Sequence, residues 1–590
     1  MPRQTTPHAS GWPALLAMTL PAILFTGCVD GAWDWSGWFP KGQKSTVETI
    51  VPENALTNSF AYQGTVAEYA YFEGLRKLRI RGYGIVVGLG RNGSRTCPTA
   101  IADQLKQEMY KTRKFAERRG QHITPERLLD DPDTAVVAVE GEIPAAALKG
   151  SRFDIAVRAI PGTETTSLEG GLLYECFLQV FRPVGAAGWI PGREVAVGGG
   201  PVFLNPFGAG EGAATQTNWR EGVVVGGGRT SEDRRVRLLL TVPSYQMAIR
   251  IADAINDRFS LGGTDVADAV SPGEIKLTIP SPYAHDPKHF LAVVQHVYPT
   301  LPAEMLAQRT LELAREFEAA DAPHAEIALA WEAIGRPSLP EVQKFYAHPR
   351  PVTSFHAAAA GLLLGDDSAA DVIEQHVLND RSEHRLKAIR VLASAVDSMR
   401  AARPLRQALD DSDPRIRTAA YEALRERGDP TIVSVEVGTE SFTLDMVPSR
   451  GEPLIYVKRT EDRRIALFGG PILVRPPAFY ASPEETLIVN AAAGDAEVTL
   501  LRKSRTGGSV SPPIPGELDV SRLIAMLGND VPQSPGETIH GLGVDYGGIT
   551  RMLAELCAAQ SINAQFILET PGAADELLLG RPPGRRESDL

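Results

Sequence analysis

Apolar positions recur along this chain with two different periods, and the places where the period switches divide it into segments. Over 61–300, short apolar runs at Ile85-Val86-Val87, Ala135 to Val139, Phe153 to Val157, Val236 to Leu240 and Ile275 to Ile279 alternate with Gly-rich turns and predict strands. Helical spacing interrupts them at 98–114 and 245–258. Over 301–430 the composition shifts to Ala, Leu, Glu and Arg with helical periodicity and short turns. Strand signals return over 431–505, at Phe442-Thr443-Leu444, Leu454 to Val457, Arg464 to Phe468 and Glu485 to Val489. A Gly/Ser/Pro stretch at 506–516 reads as a linker, before helical stretches at 520–527 and 546–560 and a strand at 564–568. The pattern is α+β and multidomain: a β-rich core over 61–300, an all-α insert over 301–430, a small β-domain over 431–505, and a linker with a C-terminal helix-and-strand segment over 506–569. Residues 570–590, ending "PPGRRESDL", are polar and Pro-rich and read as a disordered tail.

Within the helical insert, Arg385, Ala388 and Leu392 align with Arg417, Ala420 and Leu424 at an offset of 32 residues. The stretch "DDSDPRIRTAAYEALRERGD" resembles a HEAT-type repeat, in which helix pairs stack because no single pair buries its own apolar face. A weaker copy lies around 355–364. An ordinary helical bundle is the alternative, and both readings predict interaction surface, not catalysis.

The first 28 residues differ from the rest: a weakly charged start, an apolar run from Ala14 to Phe25, then Thr26-Gly27-Cys28. This reads as a secretory signal whose apolar run is too short to span a bilayer. Small residues before a cysteine resemble a bacterial lipobox, which would make Cys28 the lipidated N-terminus after cleavage; Phe25 stands where a lipobox usually has Leu. Ordinary cleavage nearby is the alternative. Residues 29–60 carry no sustained period and read as a linker. The other cysteines, Cys97, Cys176 and Cys557, match no zinc spacing. They are expected as buried apolar thiols, with a Cys97–Cys176 bridge as the alternative.

Composition narrows the picture further. With 43% hydrophobic and 22% charged residues and a mean hydropathy of -0.11, the chain has the balance of a globular protein. Its 60 Lys+Arg against 72 Asp+Glu give a net charge of -12, which argues against generic nucleic-acid binding. Basic clusters stand at Arg76, Lys77, Arg79 and Arg81 and at 111–119, where a polar contact surface or a solvated face is expected. Gly88, Gly90 and Gly93 in "GLGRNG" match a dinucleotide-binding spacing after a strand, but the following residues read as a basic helix where a second strand ending in an acid is required, so the glycines are expected to make tight turns. His285 and His289 sit four apart with Pro287 between them, which spoils a metal-binding helical face. No nucleophile motif accompanies them, and nothing argues for catalysis.

The order of several stretches resembles the bacterial flagellar P-ring protein family. "LRIRGYGIVVGLGRNGS" is similar to that family's opening segment, through Gly82, Tyr83, Gly84, Val86, Val87, Gly88 and Leu89. "AVVAVEGEIPAAALKGSRFDIAVRAIPGTETTSLEGGLLYECFL" places Pro144, Gly150, Asp154, Ser167, Leu168, Gly170, Gly171 and Leu173 at the family's next positions. "MAIRIADAIN" and "SPGEIKLTIP" match a helix-and-strand pair through Ala252, Asp253, Ile255 and Asn256. "GLGVDYGGITRMLAELCAAQSINAQFILE" is similar to the family's last helix and strand, with Gly543, Leu553 and Leu556 at turn or buried positions. The resemblance covers about 65–300 and 540–569. It departs where the family's first loop continues Gly-Thr-Gly-Asp and this chain has Gly90-Arg91-Asn92-Gly93-Ser94, and the segment from about 301 to 515 has no counterpart.

The resemblance implies a structural, self-assembling periplasmic ring around the flagellar rod, at the level of the peptidoglycan, without catalysis, cofactor or metal. Copies of itself, the rod and neighbouring ring proteins are the implied partners, with an unidentified protein at the helical insert and no nucleic acid. Closing such a ring requires one patch on each subunit to meet a different patch on the next. The alternative is an exported, lipid-tethered adaptor that uses the ring-type domain and the helical repeats to bind protein partners.

Overall fold

A computed structural model describes residues 60–112, 124–183, 189–205, 218–260, 262–284, 286–395, 399–438, 442–482, 486–503, 510–530, 541–570 and 572. The leader with Cys28, most of the 29–60 linker, residues 113–119 of the second basic cluster, His285, residues 506–509, and 571 and 573–590 of the tail lie outside them. The architecture is mixed: a β-rich core, a helical segment and a second β-rich unit.

The first strand, β1 (Ala70–Glu73), precedes all six strands that close into an antiparallel barrel. These six are β2 (Leu78–Val87), β3 (Thr134–Ile143), β4 (Arg152–Ala159), β5 (Leu172–Pro183), β6 (Trp189–Pro201) and β7 (Glu221–Thr230), in the order β2-β3-β4-β7-β6-β5. Alternation along each strand sends Ile80, Val86, Val137, Val139, Phe153, Ile155, Val157, Leu173 and Leu178 into one shared core. β7 reads Val223-Val224-Val225 without alternation because both of its faces are covered: Val224 belongs to the barrel interior, while Val223 and Val225 join a second core outside it.

β1 pairs with β8 (Val236–Leu240), and with β9 (Ala267–Ser271) and β10 (Glu274–Leu277) makes a four-stranded antiparallel sheet in the order β1-β8-β10-β9. The Tyr245–Phe259 helix, capped by the Ser244 hydroxyl accepting from Met247 N–H, packs Ala248, Ile251, Ala252, Ile255 and Phe259 onto this sheet. The Pro287–Gln295 helix completes the layer with Phe290, Leu291, Val293 and Val294.

Beyond it, the described residues form four helix pairs: Ala303–Phe317 with His324–Ile334, Leu339–Val342 and its 3-10 extension with Pro351–Leu363, Ala370–Leu378 with Arg385–Ser394, and Ala402–Ala408 with Pro414–Glu426. Second helices stack on second helices, as in a solenoid. The repeat seen in the sequence is a repeated contact. Arg385 Nε donates to the Val377 carbonyl at 2.8 Å, and 32 residues on, Arg417 Nε donates to the Leu409 carbonyl at 3.0 Å, so each buried guanidinium satisfies the carboxyl end of the helix before it. Arg385 also pairs with Asp411 of the following repeat.

The last repeat is closed by β structure. β11 (Val433–Val437), β12 (Phe442–Val447), β13 (Leu454–Val457), β14 (Arg464–Phe468) and the C-terminal β19 (Gln565–Leu568) form a mixed sheet in the order β11-β12-β14-β13-β19, with β19 parallel to β13. A second sheet joins β15 (Ala478–Ala481), β16 (Leu487–Ala491), β17 (Glu497–Arg502) and β18 (Ile514–Glu517). One face of the mixed sheet, with Val447, Leu454, Tyr456, Ala466 and Phe468, completes the helical core. The other, with Phe442, Leu444, Ile455, Val457, Ile465 and Leu467, shares a core with the Val520–Gly528 and Tyr546–Ala558 helices and with Phe203, Val223 and Val225 of the barrel side. Among the described residues no helix is long and apolar enough to cross a membrane.

Candidate functional site

The glycines singled out in β2 lie on the seam that closes the barrel. A Cβ on Gly82 would stand 2.2 Å from the Phe177 carbonyl oxygen, and one on Gly84 would stand 2.8 Å from Leu173 Cδ1. The β2–β5 register shifts between Arg81 and Val86, and at both glycines the partner strand stands where a side chain would be. Tyr83 lies half-buried between them, and burial raises its phenol pKa against the pull of Arg81. Gly171 fills the same role at the end of the seam, where its Cβ would meet Val86 Cγ1 at 2.4 Å.

The loop after β2 settles the dinucleotide spacing. Gly88 and Gly90 both have positive φ, and their N–H groups donate to the two carboxylate oxygens of Asp133, at 3.3 and 2.5 Å. Gly93 is pressed against the Thr134 carbonyl, 2.1 Å from its would-be Cβ. Amides that would cradle a phosphate already hold a carboxylate of the same chain.

Other motif positions are turns and fasteners. Pro144 ends β3, and the Ile143 and Pro144 carbonyls accept from Arg234 Nη1 at 2.8 and 2.9 Å; burial lowers the pKa of that guanidinium. Gly150 has a φ of +87 and open space beside it. Gly170 has a φ of +63. Asn256 Oδ1 accepts from the Val266 and Ala267 amides and its Nδ2 donates to the Ala267 carbonyl, all at 2.8 Å, which pins the helix to β9. Asp253 faces solvent on the same helix.

Asp154 does more than turn the chain. Its Oδ1 accepts from Gly226 N–H at 2.7 Å and from Glu461 N–H at 2.9 Å, so one carboxylate joins β4, β7 and the β13–β14 turn. Gly226 has a φ of +60, and its Cβ would lie 2.0 Å from the Glu461 carbonyl oxygen. Nearby, Arg551 of the last helix pairs with Glu169 at 3.1 Å, both largely buried, and lies 4.7 Å from the Trp219 ring centroid. Tyr546 packs its ring at a tilt against Phe203 and Phe442, and its hydroxyl donates toward the Lys458 and Arg464 carbonyls at 2.5 and 2.7 Å. The barrel and the C-terminal unit are therefore joined by polar contacts set in an apolar core.

The basic cluster is matched by acids on the neighbouring strand. Arg79 Nε lies 3.0 Å from Glu142 and Arg81 Nε 3.0 Å from Glu140, each pair directly opposite in the β2–β3 register, and Lys77 lies 3.8 Å from Glu142. Arg76, Lys77 and Arg79 are exposed. Sequence reasoning missed Asp133, Glu140, Glu142, Glu169 and Arg551; the period-two placement of Glu140 and Glu142, matching Arg79 and Arg81, was the one available signal.

A second joint links the core to the first helix pair. His289 Nε2 lies 2.7 Å from Glu332 Oε2, and Arg258 Nε donates to the Glu332 carbonyl at 2.9 Å. Burial opposes charge on His289, but Glu332 outweighs it and brings the pKa up to about 9. His289 is thus held by a carboxylate in a domain joint. Arg309 completes the joint, donating to the Phe60 carbonyl at 2.6 Å with its guanidinium 4.0 Å from the Phe60 ring centroid. Cys97, Cys176 and Cys557 are all free thiols, so the Cys97–Cys176 bridge is not formed. Burial pushes their pKa values up to about 11, 12 and 12.

A family model described as flagellar P-ring protein matches residues 65–305, and one described as HEAT repeats matches 377–435. The flagellar P-ring protein of Thermotoga maritima is 31% identical over 262 residues, 42% of this chain and 72% of that relative. That of Geobacter sulfurreducens is 31% identical over 261 residues, 42% of this chain and 64% of the relative, and that of Geobacter metallireducens 29% over 242 residues, 39% and 60%.

Proposed function

Because the chain belongs to the flagellar P-ring protein family, we propose that it is a structural ring subunit of the flagellar basal body, exported to the periplasm and assembled from copies of itself around the rod at the peptidoglycan layer. The observation that carries this reading is the matched region itself: the closed barrel and the sheet-and-helix layer beside it, whose motif glycines, Asp154 and Asn256 hold turns, a closing seam and joints. Those are roles in shape, as a load-bearing ring requires. Export starts from the N-terminal leader, with Cys28 as the lipid-attachment or cleavage site and the following linker as the tether. Rod and neighbouring ring proteins meet the ring-type core, where Arg76, Lys77, Arg79 and Arg81 are the polar contact residues, and a further protein docks on the HEAT-like helices.

The test is to tag the C-terminus in the native cell, purify rod-containing basal structures and probe them for the tagged chain. Co-purification with a ring around the rod is the expected result. Intact basal bodies that lack the chain, or that assemble without its gene, would overturn this role and favour a tethered adaptor built on the same domains.

A further inference from the structure

The geometry points to an acid-sensitive latch in the helical stack: three imidazoles around Phe355, His356, His376 and His384, with His324 stacked beyond His356, hold the first three helix pairs together while neutral and loosen them when protonated. Of the 11 histidines in the chain, these four come from three successive repeats and converge on one place. His384 lies face to face with Phe355, ring centroids 4.6 Å apart and planes 6° from parallel, and His376 meets the same ring edge-on at 5.3 Å. His356 bridges to both sides, 6.0 Å from His384 and 6.4 Å from His324. His376 and His384 are 5.9 Å apart.

The side-chain partners suit neutral rings, and the contacts that favour a charged ring are the Ala322 and Phe317 carbonyls at His324, which burial outweighs. His324 Nε2 meets the Thr353 hydroxyl at 3.0 Å; His376 meets Ser354 at 3.4 Å through Nε2 and Ser382 at 3.2 Å through Nδ1. A hydroxyl serves a neutral imidazole as donor or acceptor but offers no counter-charge. His384 Nε2 is buried without a hydrogen-bond partner among the described residues. The charges facing the cluster are mostly cationic: Arg350 and His348 beside His324, and Lys387 beside His356 and His384. The acid that faces it is Glu383, 3.8 Å from His384 and 84% exposed.

Protonating two of these rings puts like charges about 6 Å apart in an apolar setting, at a ring stack that needs neutral faces. Burial, first among the causes, holds all four below the ordinary imidazole range, and for His356 the neighbouring His384 and Lys387 help bring it down to about 3. A depressed pKa means that the opened segment takes up protons which the closed stack refuses. Closure is therefore fully favoured above about pH 6.5 and weakens as pH falls, by up to about tenfold per pH unit for each such proton. The physiological trigger, an acidified exported compartment, rests on the export reading above. The opening itself is a property of the chain, so the two fail separately.

Hydrogen exchange of the full-length chain, corrected for intrinsic rates, tests it. Between about pH 6.5 and 5.5 the protection of peptides from 346–394 is expected to fall about 30-fold, roughly fivefold for each of two protons taken up at an open-state pKa of about 6.5, while β3 and β4 keep theirs. The double variant His356→Gln/His384→Gln is expected to flatten that slope by up to about 30-fold, and His356→Gln alone, at a half-buried position, by up to about fivefold. Protection that stays level with pH, barrel strands that lose theirs in parallel, or variants that open at every pH with the parent's slope would each overturn the latch.

Discussion

Single residues in this protein are constrained mainly by how closely backbones approach. Gly82 and Gly226 illustrate it: one faces the Phe177 carbonyl and the other the Glu461 carbonyl, and backbone cannot retreat as a side-chain tip can. Gly82→Ala and Gly226→Ala are each expected to cost about 2–4 kcal/mol, read as a shift in chemical-denaturation midpoint, with Gly226→Ala also carrying the strain of its positive φ. Arg79→Ala is expected to cost less, about 1–3 kcal/mol, because its own side chain is 46% exposed but its partner Glu142 is 2% exposed and keeps only Lys77 at 3.8 Å. No measurable loss in the same titration would contradict that. The sequence marked Gly82 through a motif, yet the reason for it, a register shift between strands some ninety residues apart in the chain, exists only once the barrel closes.

At the scale of elements, local signals were legible wherever an element covers one face. Expected helices at 245–258 and 520–527 appear as Tyr245–Phe259 and Val520–Gly528, and the runs at 236–240, 454–457 and 464–468 are strands with those bounds. β5 was not legible, since Tyr174, Glu175, Cys176 and Gln179 break its alternation. β18 falls in the stretch that reads as a linker, where Pro and Gly mask an edge strand. The helical repeat ends by an element-level substitution: Arg417 Nη1 donates to the Glu452 carbonyl at 2.7 Å and Nη2 to the Ser449 hydroxyl at 3.1 Å, in the place where Arg385 meets Asp411 of the next repeat. Arg417→Met is expected to cost about 3 kcal/mol in the denaturation midpoint by leaving buried carbonyls unpaired. The His289–Glu332 joint carries a pH dependence of known sign. With the folded pKa raised to about 9, its contribution is complete below about pH 6.5 and is lost as pH rises through 9. His289→Gln should accordingly cost about 2–3 kcal/mol at pH 6 and little near pH 10, measured by denaturation at both. Equal losses at the two would refute the assignment.

For the whole molecule, the mixed sheet is the hub, because one face completes the helical core and the other the core shared with the barrel. Arg551→Met leaves the buried Glu169 carboxylate without its partner and is expected to cost about 3–5 kcal/mol. Calorimetry should then resolve the barrel's unfolding from that of the C-terminal unit, and a single unshifted transition would show that the apolar core alone couples them.

What the sequence determined by itself was the material of each part: apolar periods that name helices and strands, a 32-residue repeat, and the motif string that marks the family. Those signals are local, set by the geometry of neighbouring residues, and they survive in any arrangement of the parts. Only the tertiary structure decided that β19 returns beside β13, that Val223 and Val225 face the C-terminal unit, that Asp133 fills the glycine loop and that His356, His376 and His384 meet at Phe355. Each joins residues distant in the chain, through pairings that become favourable only after the separate cores have formed and brought their faces together.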